Sequence, residues 1–258
     1  PWRRAIAIAA AVLLLLAVLI FGRAERQLMS SAEVKTVQER GVLRIGVIPD
    51  MPGVELEREL GRRIAAKLLP EADPDSRAVF RDFTTMTAGP SIDDGTVDMV
   101  IAHMASQMSA KYTYSDSYYT EECILVVKSG TSAFALKNFT VGYIQSNRLR
   151  KTAEDITLKE YLAAGGSQSM EKRAYASYSD MLSALDRGEI GGAVLPRQVF
   201  NELRTQYPIT ETTLVIGTID YKVMCPGDST VLSELASIVI KEMQDSGELK
   251  ELYAQYGW

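Results

Sequence analysis

The chain carries one histidine, His103, two cysteines, Cys123 and Cys225, and one adjacent pair of acids next to a cysteine, Glu121 and Glu122. A lone histidine titrates near neutral pH, so His103 is either a pH-sensitive contact or a hydrogen-bonded, partly buried residue. Adjacent carboxylates raise one another's pKa, which suits a general acid or base; the alternative is a solvated strand start. The cysteines lie far apart, with no Cys-x-x-Cys pair and no His/Cys cluster, so no zinc site is expected. Neither a nucleophile elbow nor a histidine-containing triad is visible, so no catalytic residue and no cofactor is assigned. The tyrosines 112, 114, 118 and 119 can stack on a ligand or pack in the core. Met104 and Met108 are expected to be packing residues.

These side chains must be held by a scaffold, and 258 residues at 47% hydrophobic suffice for one large domain or two small ones. Net charge is −5 and mixed along the chain, without a basic stripe, so nucleic acid is excluded as an expected partner. The amino-terminal segment 1–24 differs from the rest. "WRR" precedes "AIAIAAAVLLLLAVLIF", residues 5–21, which contains no polar side chain. Basic residues ahead of such a run orient it with the N-terminus inside. A cleaved signal peptide has an apolar core of about 7–15 residues. A membrane anchor needs roughly 17–25, and the length favours the anchor. Either way the remainder is expected outside the cytoplasm. No cysteine follows the run, which argues against a lipid-anchored lipoprotein.

Beyond it, residues 30–40 have a helical pattern that Gly41 stops. "VLRIGVI", residues 42–48, is a predicted strand. Leu56, Leu60, Ile64 and Leu68 mark an amphipathic helix with Glu59 and Arg63 as an i,i+4 pair on its outer face. Residues 76–83 form a further predicted strand. "SIDDGTVDMVIA", residues 91–102, runs from helix end through a glycine stop into a strand. The pattern then repeats. "FTVGYIQ" (139–145) parallels "LRIGVIP", and "ALDRGEIGGAVLP" (184–196) parallels "SIDDGTVDMVIA". Gly46 to Gly95 spans 49 residues and Gly142 to Gly188 spans 46. Two α/β lobes are therefore expected, with parallel sheets and a ligand cleft at the carboxyl ends of their strands. "TIDYKVMCPGD" (218–228) gives a returning strand and turn, followed by a helix capped by Asp228 or Ser229.

From residue 33 to 258 the chain resembles the type 2 extracytoplasmic solute-binding proteins that serve amino-acid ABC transporters. "ERGVLRIGVIPDMP" is similar to that family's opening strand and "IDDGTVDMVIAHM" to its helix-Gly-strand approach to the cleft. "YSDSYYTEECILVV" resembles its "FSDPYY" turn and hinge strand, and "DYKVMCPGD" its returning hinge strand. The resemblance implies a two-lobed periplasmic-binding-protein fold with two hinge strands. Lobe 1 would take residues 25–127 and 219–258, and lobe 2 residues 128–218. It also implies a small-molecule solute and an ABC permease as partners. The location would be periplasmic, or anchored on the outer side of the membrane.

The family's ligand clamp is altered. Amino-acid-binding members carry a Gly-Met pair, a hydroxyl residue and a Thr-x-x-Arg whose arginine grips the ligand carboxylate. Here the glycine position is His103 and the hydroxyl position is Ala105. The only cation before "YSDSYY" is Lys111, which lacks arginine's planar fork. Where the family places an aspartate for the ligand ammonium stands Pro196. "PDMPG" offers Asp50 and Met51. The start of the second-lobe helix, Gln145, Ser146, Asn147 and Arg148, occupies the anion-receiving position, or is an ordinary polar cap. With Ser106, these residues form the expected ligand set, for a solute that is not an ordinary free amino acid. The rival expectation is a membrane-anchored sensory or scaffolding domain that has lost its transport ligand. The resemblance further places Cys123 and Cys225 on neighbouring hinge strands, open to a disulfide in an oxidising compartment or to two buried thiols.

Overall fold

The computed structural model describes residues 2, 6, 22–49, 53–84, 87–104, 111–131, 140–144 and 171–258. A helical stretch at residues 22–29 (α1) precedes α2, Ala32–Arg40. Ser31 caps α2 by accepting from the Val34 N–H, and Gly41, in the left-handed region at φ 71°, closes it. Strand β1 is Leu43–Val47, and α3 is Val54–Leu68. Leu56, Leu60, Ile64 and Leu68 of α3 are fully buried. Each contributes about 1.5–3 kcal/mol of burial. Glu59 and Arg63 pair at 3.6 Å on the outer face. Then come β2 (Ala78–Asp82), α4 (Ala88–Asp93), β3 (Met99–Met104) and the long β4 (Tyr112–Lys128).

The second half supplies β5 (Thr140–Ile144), β6 (Glu171–Tyr175), α5 (Tyr178–Asp186), β7 (Gly192–Pro196) and α6 (Arg197–Leu203). The chain returns through β8 (Ile209–Pro226) to α7 (Val231–Ser246) and α8 (Glu248–Tyr256). The internal repeat is real. Gly95 and Gly188 both stop their helices at positive φ, 70° and 74°, a conformation that costs a side chain about 1–2 kcal/mol. The Asp98 N–H donates to the Arg44 carbonyl as the Gly191 N–H does to that of Thr140.

The eight strands described form one mixed sheet in the order β2-β1-β3-β8-β4-β7-β5-β6. The β2-β1-β3 and β7-β5-β6 groups are parallel, and each joins the central antiparallel pair β4–β8 through an antiparallel contact. Register shows how the groups meet. Met104 of β3 and Ser117 of β4 both pair with Lys222 of β8, whereas Pro196 of β7 pairs with Cys123 of β4. Strands β3 and β7 run in opposite directions, so their carboxyl ends face one another across residues 118–122 of β4 and 218–221 of β8. This is the two-lobed arrangement with a double-stranded hinge. The larger core packs α2, α3, α7 and α8 on one face of the first group, a small core around α4 takes in Val100, Ala102 and Met104, and a further core joins α5 and α6 to the second group.

The structure corrects several expectations. Residues 114–119, "YSDSYY", are strand rather than turn, and register irregularities on either side of Ser117 absorb the bend. Ser117 stands where the family motif has proline, and a serine keeps the N–H that a ladder uses. Strand β8 begins nine residues earlier than the returning strand seen in the sequence. Strand β6 went unforeseen because its "EKRAY" faces solvent on an edge and lacks apolar alternation. The cap of α7 is Thr230, although the Ser229 hydroxyl does accept from the Val231 N–H.

The disulfide is also overturned. Cys225 pairs in register with Thr113 and Cys123 with Gly217, ten residues along β4, and the two do not bridge. That separation is about 30 Å at strand rise, against a disulfide's reach of roughly 7 Å. Among the described residues no helix is long and apolar enough to cross a membrane. Of residues 5–21, all but Ile6 lie outside the described set.

Candidate functional site

The facing strand ends define two corners of one cleft. At the first, β3 delivers His103 in the left-handed region, φ 54°, the one non-glycine residue there among those described. Its backbone N–H donates to Glu57 Oε1 (2.8 Å) and to the Tyr118 hydroxyl (3.2 Å), and the Tyr118 O–H itself donates to Glu57 Oε1 at 2.6 Å. His103 Nδ1 lies 2.8 Å from the same oxygen, within ion-pair reach but off the hydrogen-bond direction. Glu57 sits in the first turn of α3, where the helix dipole favours a carboxylate, and it is completely buried. Burial first, then the Glu57 charge, pushes the Tyr118 hydroxyl well above the usual tyrosine range.

The His103 ring is itself 2% exposed, packed 4.5 Å from Tyr221 of β8 and 5.0 Å from Trp258. Trp258 also meets Tyr119 edge-on at 4.4 Å and covers Gly53, whose positive φ and missing Cβ make room for the indole. The Tyr253 hydroxyl donates to the Tyr118 carbonyl and ties α8 to the hinge. Both hinge strands and the carboxy-terminal helix therefore converge on the Glu57–His103 pair.

At the second corner Pro196 ends β7 and α6 begins. The Gln198 N–H donates to buried Glu121 Oε1 at 3.3 Å. Arg197 reaches back with Nε on Glu122 Oε2 and Nη1 on Glu211 Oε2, each at 2.6 Å. The bond to Glu211, and after it the one to Glu122, outweighs partial burial and holds the guanidinium above its usual range. Between the corners, Thr120 donates to Asp220 Oδ1 at 2.7 Å across the hinge. Burial, reinforced by Glu121, raises the Tyr119 hydroxyl to about 12.

Of the expected ligand set, the structure brings His103 and Pro196 to the two corners. Asp50, Met51, Ala105, Ser106, Gln145, Ser146, Asn147 and Arg148 lie outside the described residues. Lys111 is elsewhere. It precedes β4 by one residue, at the end where Tyr112 pairs with Pro226, and binds Asp93 Oδ2 at 2.5 Å. Six residues of strand, about 20 Å, separate it from the cleft level at Ser117. His103 matches the hydrogen-bonded, buried alternative rather than an open contact, while Glu121 is buried and Glu122 is solvent-accessible and ion-paired with Arg197. Glu57, Gln198 and Trp258 were missed. Glu57 did leave a signal: it falls in the buried stripe 57, 60, 61, 64, 68, where an unexplained acid asks for buried donors. Among the described residues no group of three or more His, Cys, Asp or Glu is placed to hold a metal.

Comparison with known proteins addresses this arrangement. Residues 51–258 match the family described as bacterial extracellular solute-binding proteins, family 3. The chain belongs to that family. Among solved structures of similar fold is a mutant ArgBP from T. maritima (19% identical, TM-score 0.62, covering 87% of this chain and 98% of that one). Another is the probable amino-acid ABC transporter extracellular-binding protein ytmK from Bacillus subtilis (16%, TM-score 0.66, 83% and 97%). A third is the amino acid ABC transporter substrate-binding protein AbpA from Streptococcus pneumoniae, bound to L-arginine (18%, TM-score 0.62, 86% and 97%). At these identities the likeness is one of fold. No curated protein sequence matches the chain.

Proposed function

We propose that this family 3 protein receives a small solute outside the cytoplasm, in the manner of amino-acid ABC transporter binding proteins, and that the solute is not an ordinary free amino acid. Lobe 1 comprises residues 25–127 and 219–258 and lobe 2 residues 128–218, with residues 1–24 as membrane anchor or signal segment. An ABC permease is the corresponding partner. The observation that carries the reading is the second corner: Pro196 stands where the resemblance places an acid for the ligand ammonium, and both acids beside it, Glu122 and Glu211, are bound by the Arg197 guanidinium. A zwitterion buried with one charge unpaired loses several kcal/mol, a large part of a micromolar affinity of about 8 kcal/mol. Ser106, Gln145, Ser146, Asn147 and Arg148 supply the polar contacts and Ala105 removes a hydroxyl donor, which suits a solute with an anionic or neutral head and no ammonium.

Titration calorimetry tests this with the full chain in detergent, stripped by unfolding and refolding, against the twenty amino acids. No micromolar binding is expected, and a micromolar response to any one of them overturns the reading. The second reading is a membrane-anchored sensory or scaffolding domain, favoured by the uninterrupted apolar run at residues 5–21. Co-purification of a permease and ATPase with the native protein supports transport; their absence from a complex that retains other membrane proteins supports the sensor.

A further inference from the structure

The helix that follows the apolar run does not lead into a loose linker. Glu25 of α1 places Oε1 2.6 Å from Lys67 Nζ at the end of α3, and the same ammonium binds Glu242 of α7 at 2.6 Å. Leu28 and Met29, three and four residues on, pack against the larger core. This is one face of a helix, i, i+3, i+4, laid on lobe 1. Arg23 and Arg26 point away from it and are exposed. Only residues 22–24 separate the last apolar residue of the run, Phe21, from the first contact with lobe 1. In a helix that is a rise of about 6 Å, comparable to the depth of a headgroup layer.

We propose that α1 holds lobe 1 directly against the phospholipid surface, with the ends of α3 and α7 facing the headgroups and Arg23 and Arg26 beside the phosphates. This rests on residues 5–21 being retained as an anchor, and adds that the domain is fixed on the bilayer rather than swinging from it. A solvent-accessible ion pair contributes little, so the apolar contacts of Leu28 and Met29 carry most of the docking. A phospholipid partner fits the exposed arginines, because a guanidinium at headgroup level forms charge-assisted hydrogen bonds with lipid phosphate.

The test uses the full chain in nanodiscs of phosphatidylcholine and phosphatidylglycerol that contain headgroup spin-labelled lipid. A thiol-reactive fluorophore is placed at Lys241→Cys, beside Glu242 on an exposed part of α7; Cys123 and Cys225 are completely buried and do not compete. The label is expected to lose most of its emission to the spin label. It should recover in Leu28→Asp/Met29→Asp and recover partly in Lys67→Glu, which leaves the core intact if the double variant fails to fold. A chain that floats with the discs but keeps an unquenched label overturns the proposal alone. So does quenching that persists in both a folded Leu28→Asp/Met29→Asp chain and Lys67→Glu. A chain that does not float with the discs removes the anchor and this proposal together.

Discussion

The two corners of the cleft use the same backbone plan and opposite chemistry. In each, a residue at or just past the end of a parallel strand offers an N–H to a buried glutamate, His103 of β3 to Glu57 and Gln198 in the first turn of α6 to Glu121. The first corner is then sealed by aromatic rings from both hinge strands and from the carboxy-terminal residues. The second opens into an arginine with two partly exposed acids, whose side chains are 42–45% accessible. Packing that excludes water gives the first corner one low-energy arrangement, whereas solvated ion pairs exchange partners at little cost. The difference makes the first corner fixed and the second the more adjustable of the two.

The largest expected effect that can break this contrast is at Glu57. Its replacement by alanine leaves the Tyr118 hydroxyl buried without its acceptor and the His103 N–H with only its longer bond to Tyr118, and should cost about 3–5 kcal/mol in urea unfolding. Removing the indole in Trp258→Ala uncovers His103 and Gly53; because Trp258 is partly exposed, about 2 kcal/mol is expected. Replacing His103 tests strain separately from packing. Both His103→Ala and His103→Gly lose the ring, but only alanine retains the cost of positive φ, so the glycine variant should be about 1 kcal/mol the more stable. Smallest is Arg197→Ala, below about 1 kcal/mol and reduced further by salt. Should Arg197→Ala instead match Glu57→Ala, the second corner would be as rigid as the first.

Much of this scaffold could be seen in the sequence, because its signals are local. Gly41, Gly95 and Gly188 stop helices by backbone sterics, and the four-residue spacing of Leu56 to Leu68 marks a buried stripe whatever surrounds it. The repeat, by giving those signals twice, led to the two lobes. The first corner was not visible because its contacts are long-range. Glu57 meets Tyr118 across 61 positions. The two cysteines, both on hinge strands, seemed able to meet until register set them ten residues apart, and register depends on pairing that neither strand's own sequence declares. Lys111 misled for a similar reason: its nearness in sequence to the cleft segment hides the length of strand that carries it to the outer end of lobe 1.

The spread of the cores along the chain bears on how the protein acquires its shape. Every buried residue of the core around α5 and α6 falls between Ile124 and Ile209, whereas the largest core draws on the chain from Val34 to Leu252 and sets α3 against α7. Closing the 163 positions from Leu69 to Leu232 as an open loop costs about 4–5 kcal/mol of chain entropy. The cost falls once the intervening unit is compact and brings β4 beside β8. Folding is therefore expected to proceed from the middle of the chain outward, with the apolar face of α3 waiting for α7. Until then that face is an exposed apolar stripe open to aggregation.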